Sequence, residues 1–152
     1  MNEAIDLKID ESIITRVREC KFLGTVIDEN LTWKPHINLI TSKISKNIGI
    51  MFKVGQFLTK EAMKTLYYTL VYPYFHYCNI IWANNYPSRL TRIEILQKRA
   101  VRIIAKIQYR DSTVNFFKEL KILKIKEINE LEMSLFMFKL YNNQIFDGCF
   151  LS

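Results

Sequence analysis

The chain has 152 residues, which is room for one domain. Its hydrophobic fraction of 49% and charged fraction of 24% are typical of globular proteins, so a disordered or low-complexity chain is excluded. Three scattered cysteines argue against a disulfide framework, and no apolar run approaches the ~18 residues of a membrane span. We therefore expect an intracellular protein, in the nucleus or cytoplasm, that has no membrane partner.

The net charge of +7 is unevenly distributed along the chain. Residues 31–110 hold thirteen basic and two acidic side chains, whereas the segments before and after them are slightly acidic. An anionic partner would account for this excess, although solvated lysines alone are the plainer explanation. The position of the charges on helices decides between the two interpretations.

The first 30 residues show the patterns of β-strands. Ile5, Leu7 and Ile9 alternate with charged residues and predict a first strand. Segments 13–19 and 21–27 predict a second and a third strand, separated by polar turn signals. We expect a small antiparallel sheet of about three strands, which needs a further layer to cover its apolar face.

From Pro35 onward the apolar residues follow a helical period. One stripe predicts the buried face of a first helix: Ile37, Ile40, Ile44, Ile48 and Met51. Thr59 is a candidate N-cap for the next helix, and the aromatic segment 66–82 predicts a buried helix that Pro73 bends or splits.

Three further segments, 88–108, 112–120 and 125–142, predict the remaining helices. For the last of them the candidate core faces are Leu131, Leu135, Phe138 and Tyr141, or Met137 and Leu140. The fold class is therefore mainly α, with the small sheet followed by a bundle of about five helices.

Segment 88–108 and the residues just after it carry much of the unbalanced charge. One helical face collects six residues of this segment: Ile93, Leu96, Gln97, Ala100, Ile104 and Ile107. One acidic residue, Glu94, stands against seven basic ones: Arg89, Arg92, Lys98, Arg99, Arg102, Lys106 and Arg110. Because solvated helices usually interleave charge signs, this pattern favours binding to a polyanion, with a merely solvated face as the alternative.

No motif predicts catalysis or a bound metal. The histidines and cysteines lack zinc-ligand spacing, and no phosphate-binding glycine loop or nucleophile motif is present. The polar residues Asp28 and Glu29 are more typical of a turn than of a Mg²⁺ site. The aromatic segment 66–82 is a better candidate for core than for a base-stacking platform. We therefore expect no catalytic residues, no metal site and no cofactor in this chain.

Three sequence strings resemble non-LTR (LINE-type, Jockey-like) retrotransposon reverse transcriptases. Residues 22–37 match the pattern FLG-x-x-ID-x-x-LTW-x-x-HI of that family. Residues 66–82 resemble its LY…PY-x-x-YC-x-x-xW run, and residues 96–102 are similar to its LQ-[KR]-[KR]-A-[VIL]-R helix. The three strings occur in the family's order, and the resemblance covers about residues 5–143.

The resemblance implies a region downstream of the polymerase site. Residues 1–33 would be a palm-edge β segment, with Phe22, Leu23 and Gly24 in a primer-grip-like turn. Residues 34–152 would be the helical thumb and downstream domain. Its partner would be RNA or an RNA–DNA hybrid, and the palm and fingers of the same polyprotein are a further possible partner.

The family's double-aspartate string, [FY]-x-D-D, is absent from these 152 residues. Since the parent enzyme uses Mg²⁺ held by such carboxylates, the resemblance implies that this chain alone is inactive. The expected function is backbone binding to template–primer nucleic acid. The alternative is a structural helical module that docks on a separate palm or another protein without touching nucleic acid.

Overall fold

A computed structural model describes residues 7–9, 12–84 and 87–144 of the chain. Two antiparallel hairpins precede the helices. β1 (Leu7–Ile9) pairs with β2 (Ser12–Ile14), and β3 (Glu19–Phe22) pairs with β4 (Thr25–Asp28). The mainly helical fold with a small N-terminal antiparallel sheet is confirmed, but there are four short strands in two hairpins where the sequence predicts about three.

The difference arises from a turn inside the predicted third strand. Leu23 and Gly24 both have positive φ angles, 45° and 85°, and they join β3 to β4. This is the two-residue turn whose twist suits a hairpin. Leucine rarely adopts such a conformation, so segment 21–27 carries no turn signal besides Gly24.

Seven helices follow within the described residues. They are α1 (Lys34–Val54), α2 (Lys60–Leu70), α3 (Tyr72–His76), α4 (Asn79–Trp82), α5 (Pro87–Ala105), α6 (Val114–Glu119) and α7 (Ile125–Tyr141). The predicted aromatic helix is divided into three pieces, and the second begins next to Pro73, which cannot continue a helix in mid-run. None of the described helices has the length and apolar content that crossing a membrane requires.

Local side-chain contacts set the helix starts. The hydroxyl of Thr59 accepts a hydrogen bond from the Ala62 amide at 3.3 Å, as expected of an N-cap. The carboxylate of Asp28 accepts hydrogen bonds from the Trp33 amide (2.8 Å) and from the amide and hydroxyl of Thr32 (3.0 and 2.9 Å). These bonds order the turn that leads from β4 into α1.

The core lies between α1, α2, α3 and α5. The predicted apolar stripe of α1 is buried in full, and Tyr67, Phe75 and Trp82 from the aromatic segment are completely enclosed. The core interpretation is confirmed for these three aromatics, whereas Tyr68, Tyr77 and Ile81 of the same segment are exposed. Burial of this apolar area is the main stabilising contribution to the fold.

The core prediction for the last helix is wrong. Only Ile125 and Ile128 of α7 are buried. Leu131, Leu135 and Phe138 are exposed, as are Tyr141 and Met137, and Leu140 is half-buried. From Leu131 onward, no residue of α7 packs into the core formed by the described residues.

Candidate nucleic-acid interface

Helix α5 has one buried and one exposed face. Ile93, Ala100 and Ile104 lie in the core, together with the amide side chain of Gln97. The rest of the helix surface exposes Arg92, Lys98 and Arg99. Arg92 and Arg99 are seven residues apart, which places them about 20° apart around the helix and about 10.5 Å apart along it. Lys98 lies about 100° around the helix from Arg99, and the exposed side chain of Ile95 lies between them. Burial of the predicted apolar face is confirmed for Ile93, Gln97, Ala100 and Ile104, whereas Leu96 and Ile107 are half-buried.

Gln97 connects α5 to two other elements. Its amide nitrogen donates to the Tyr67 hydroxyl (2.9 Å) and to the Leu123 carbonyl (2.8 Å), and its amide oxygen accepts from the Ile125 amide (3.0 Å). Burial raises the pKa of Tyr67, so its hydroxyl stays protonated. This network fixes the rotation of α5 and therefore the direction of its basic face.

The basic residues on the exposed face are not neutralised by neighbours. Among the described residues, no carboxylate lies within ion-pair distance of Arg92, Lys98 or Arg99. The one acidic residue of α5, Glu94, pairs instead with Lys126 of α7 at 3.4 Å. We call Arg92, Lys98 and Arg99 the α5 basic face.

Two predicted site residues on α5 have contacts of their own. The guanidinium of Arg89 donates to the Thr32 carbonyl and so attaches the start of α5 to the loop before α1. Arg102 is half-buried, donates from Nε to the Asp111 carbonyl at 3.4 Å, and lies 5.4 Å from the Tyr109 ring centre. Both side chains are less free to meet a ligand than those of the α5 basic face.

The last two predicted residues lie beyond the helix. α5 ends at Ala105, before the predicted end at residue 108. Lys106 has a φ angle of 55°, and its amide and that of Ile107 bond back to the Ile103 and Arg102 carbonyls (3.3 and 3.2 Å). This is the common left-handed helix ending. Lys106 and Arg110 are exposed, but Arg110 does not continue the α5 basic face.

Helix α1 brings two further cations to the same side of the molecule. It packs beside α5, and it contains no acidic residue at all. Lys46 and Arg92 both line a groove of about 710 Å³ between the two helices. Lys53 and Lys106 line a second groove of about 480 Å³ at the far ends of the same helices. Lys46 and Lys53 are not among the site residues predicted from the sequence, because helical periodicity does not reveal which helices are neighbours.

The primer-grip-like turn lies on the surface. Leu23 is 74% exposed at the tip of the second hairpin, and Phe22 is exposed beside it. The Tyr77 hydroxyl donates to the Leu23 carbonyl, and a Cβ placed on Gly24 would lie 3.7 Å from the Tyr77 ring. Leu23, Gly24 and Tyr77 border a cavity of about 380 Å³ that also contacts His36 and Lys43.

His36 supports this hairpin from α1. Its Nδ1 accepts a hydrogen bond from the Val26 amide at 3.3 Å, and its ring lies 5.9 Å from that of Trp82. Burial lowers the pKa of His36, and the positive charge of Lys43 lowers it further. A neutral ring is also what the Val26 hydrogen bond requires.

The acidic residues of the described segments are spread over several strands and helices. Across residues 7–9, 12–84 and 87–144, no three histidine, cysteine or carboxylate side chains come together as metal ligands. Burial raises the pKa of Asp28, but its hydrogen bonds from Thr32 and Trp33 outweigh this and hold the pKa below its ordinary value. Both Asp28 oxygens accept hydrogen bonds from the segment that follows, so the carboxylate orders this turn, as the sequence predicts.

The chain is similar in sequence to RNA-directed DNA polymerases of two transposons. It is 24% identical over 124 residues to the "Probable RNA-directed DNA polymerase from transposon BS" of Drosophila melanogaster. It is 22% identical over 126 residues to the "Probable RNA-directed DNA polymerase from transposon X-element" of the same organism. Each alignment covers 80% of this chain. The resemblance to a region of non-LTR retrotransposon reverse transcriptases is therefore confirmed.

The similarity is limited in extent. The chain spans 14% of the length of each of these two relatives. No protein-family model matches the chain, and no solved structure matches it either. The activity of the complete polymerases therefore does not transfer directly to these 152 residues.

Proposed function

We propose that this chain holds the backbone of template–primer nucleic acid within a reverse transcriptase, as RNA or as an RNA–DNA hybrid, and does not itself polymerise. The observation that carries the proposal is the α5 basic face, whose three cations have no carboxylate partner among the described residues. Exposed cations without partners favour a polyanion, because each neutralised phosphate releases condensed counterions.

The surface around these cations suits a ligand recognised by charge. Lys46 and Lys53 of α1 extend the positive surface, and α1 and α5 together contain nine lysines and arginines and one acid. Contacts from lysine and arginine to phosphate position a duplex without reading its sequence. We therefore expect binding that depends on salt and shows little base preference.

The test is a titration of a short RNA–DNA hybrid, followed by fluorescence anisotropy between about 50 and 200 mM salt. The double variant Arg92→Gln/Arg99→Gln should reduce the slope of log K against log salt by about 2, at roughly 0.9 for each phosphate that is no longer neutralised. The matched control is Lys118→Gln/Lys139→Gln, which removes the same charge from exposed positions on α6 and α7. Equal slopes for the two double variants would reject the proposal.

A second candidate function rests on α7. Its second half exposes Leu135, Phe136, Met137 and Phe138, with Phe138 62% exposed. Contiguous exposed apolar surface of this kind marks protein contact sites. A docking role toward the missing palm and fingers would leave the hybrid unbound, and association with those parts would persist at high salt because apolar burial is little screened.

A further inference from the structure

The last turn of α1 exposes an aromatic ring. Phe52 is 66% exposed, although its neighbour Met51 is completely buried, because the next position along a helix points about 100° away. The ring does not pack into the core formed by the described residues. The contacts to phosphate proposed above do not use it, so its presence on this surface needs a separate explanation.

Phe52 lines a groove that is open to solvent. This is the groove of about 480 Å³ at the ends of α1 and α5, and its lining residues are Phe52, Lys53, Gly55, Gln56, Ile103 and Lys106. None of these six residues is acidic. Phe52, Lys53, Gln56 and Lys106 are all exposed, so a ligand in the groove can reach each of these side chains. Phe57 is exposed nearby but does not line the groove.

The groups in the groove match the parts of a nucleotide. An exposed aromatic ring such as that of Phe52 gives a base a face on which to stack. The Gln56 amide makes no hydrogen bond to another described residue, so both its donors and its acceptor are available to a base edge. Lys53 and Lys106 have no carboxylate within ion-pair distance in the described part of the chain, and they supply charge for phosphate.

The groove continues the surface assigned above to backbone binding. Lys53 follows Lys46 by seven residues, which places it about 10.5 Å further along α1 on nearly the same face. A strand whose phosphates follow these lysines therefore reaches Phe52 where α1 ends. Inside a duplex both faces of each base are covered by neighbouring bases, whereas an unpaired base can turn onto an aromatic ring.

We infer that the groove at the ends of α1 and α5 binds one unpaired nucleotide, where a strand leaves the duplex. The base stacks on Phe52, its edge meets the Gln56 amide, and Lys53 and Lys106 hold the adjoining phosphates. Stacking accepts every base, so the site selects single-stranded character and not sequence. This inference rests on the proposed function and adds a junction between duplex and single strand to the ligand.

The test compares two RNA–DNA hybrids of equal paired length, one blunt and one with a short single-stranded RNA extension. Phe52→Ala should bind the extended hybrid about tenfold more weakly than the unaltered chain does, which is within the range expected for one lost base–aromatic stack. Its affinity for the blunt hybrid should not change. Because no charge is removed, the salt slope measured with either hybrid should also stay the same.

Two further variants separate stacking from general effects. Phe52→Tyr keeps an aromatic ring at the same place and should bind the extended hybrid as the unaltered chain does. Phe138→Ala removes a ring of similar exposure, 62%, from the second half of α7 and is the matched control. It should leave the affinities for both hybrids unchanged.

Different results overturn different statements. An equal loss on both hybrids, or full affinity of Phe52→Ala for the extended hybrid, would overturn the nucleotide site. The proposed function would stand in either case, since it depends on the salt-dependent binding of the blunt hybrid by the unaltered chain. Absence of binding to both hybrids by the unaltered chain would overturn the proposed function together with the nucleotide site.

Discussion

His36 shows how a single side chain links the hairpin to the helices. Its ring is buried against Trp82, and its Nδ1 holds the Val26 amide of β4. Protonation would remove that acceptor and place a charge in an apolar setting near Lys43. The position of the second hairpin on α1 therefore depends on a neutral ring.

The consequence is a stability that falls as the solution becomes acidic. The folded chain lowers the pKa of His36, so below the ordinary value of about 6.5 the unfolded chain binds a proton that the folded chain does not. The free energy of unfolding should be highest above that pH and should decrease as the pH falls below it, as measured by urea denaturation. The variant His36→Asn keeps a hydrogen-bond acceptor near the same place but does not titrate, so its free energy of unfolding should decrease less as the pH falls. An identical decrease in the variant would show that His36 is not the responsible group.

Helix α5 shows which structural features can be predicted from the sequence and which cannot. Periodicity located its buried face and its exposed cations, because both follow from spacing at 3.6 residues per turn. Periodicity gave no warning that Arg89 bonds to Thr32, nor that Lys46 of α1 lies across a groove from Arg92. Those facts depend on packing between segments some 50 residues apart.

The error at α7 has a related cause. Leu131, Leu135 and Phe138 have the helical spacing of a buried face, but they are exposed. Such spacing predicts an apolar helix face and does not show what packs against it. It does not indicate whether the packing partner lies in the same stretch of chain. The strand error differs, since it arose from Leu23 adopting a conformation that favours glycine.

Removal of the Gln97 amide should loosen three elements together. Gln97→Leu leaves the Ile125 amide and the Leu123 carbonyl without their partner in a buried setting. Each orphaned group costs about 1–3 kcal/mol, so we expect the two groups together to lower the free energy of unfolding by about 2–6 kcal/mol. Urea denaturation measures this, with the exposed neighbour Lys98→Gln as a control that should change stability by less than about 0.5 kcal/mol.

At the scale of the whole molecule, charge and apolar exposure are separated. The cations concentrate on α1 and α5, whereas the uncovered apolar side chains concentrate on the second half of α7. The two surfaces suit ligands of different chemistry, a polyanion and an apolar protein face. The two candidate functions therefore rest on different residues and can be tested by separate variants.

The exposed end of α7 should make the isolated chain self-associate. Phe136→Lys/Phe138→Lys should reduce the average mass measured by sedimentation at high protein concentration, because it interrupts the apolar surface without removing a core residue. The helical circular dichroism signal should not change. Val114→Lys/Tyr109→Lys changes two exposed positions outside the second half of α7 and is the control, which should associate as before. Equal masses for the two variants would contradict the prediction.

The hydrogen bond from Arg89 to the Thr32 carbonyl distinguishes this arginine from the exposed arginines of α5. That guanidinium belongs to the scaffold, since it joins the first turn of α5 to the chain just ahead of α1. Replacing Arg89 would break this hydrogen bond as well as remove a charge. If all the arginines of α5 were compared only by ligand affinity, a structural effect of the Arg89 variant would be mistaken for a lost contact with the ligand. The affinity of an Arg89 variant must therefore be interpreted together with its melting temperature. For an Arg99 variant the affinity alone is sufficient.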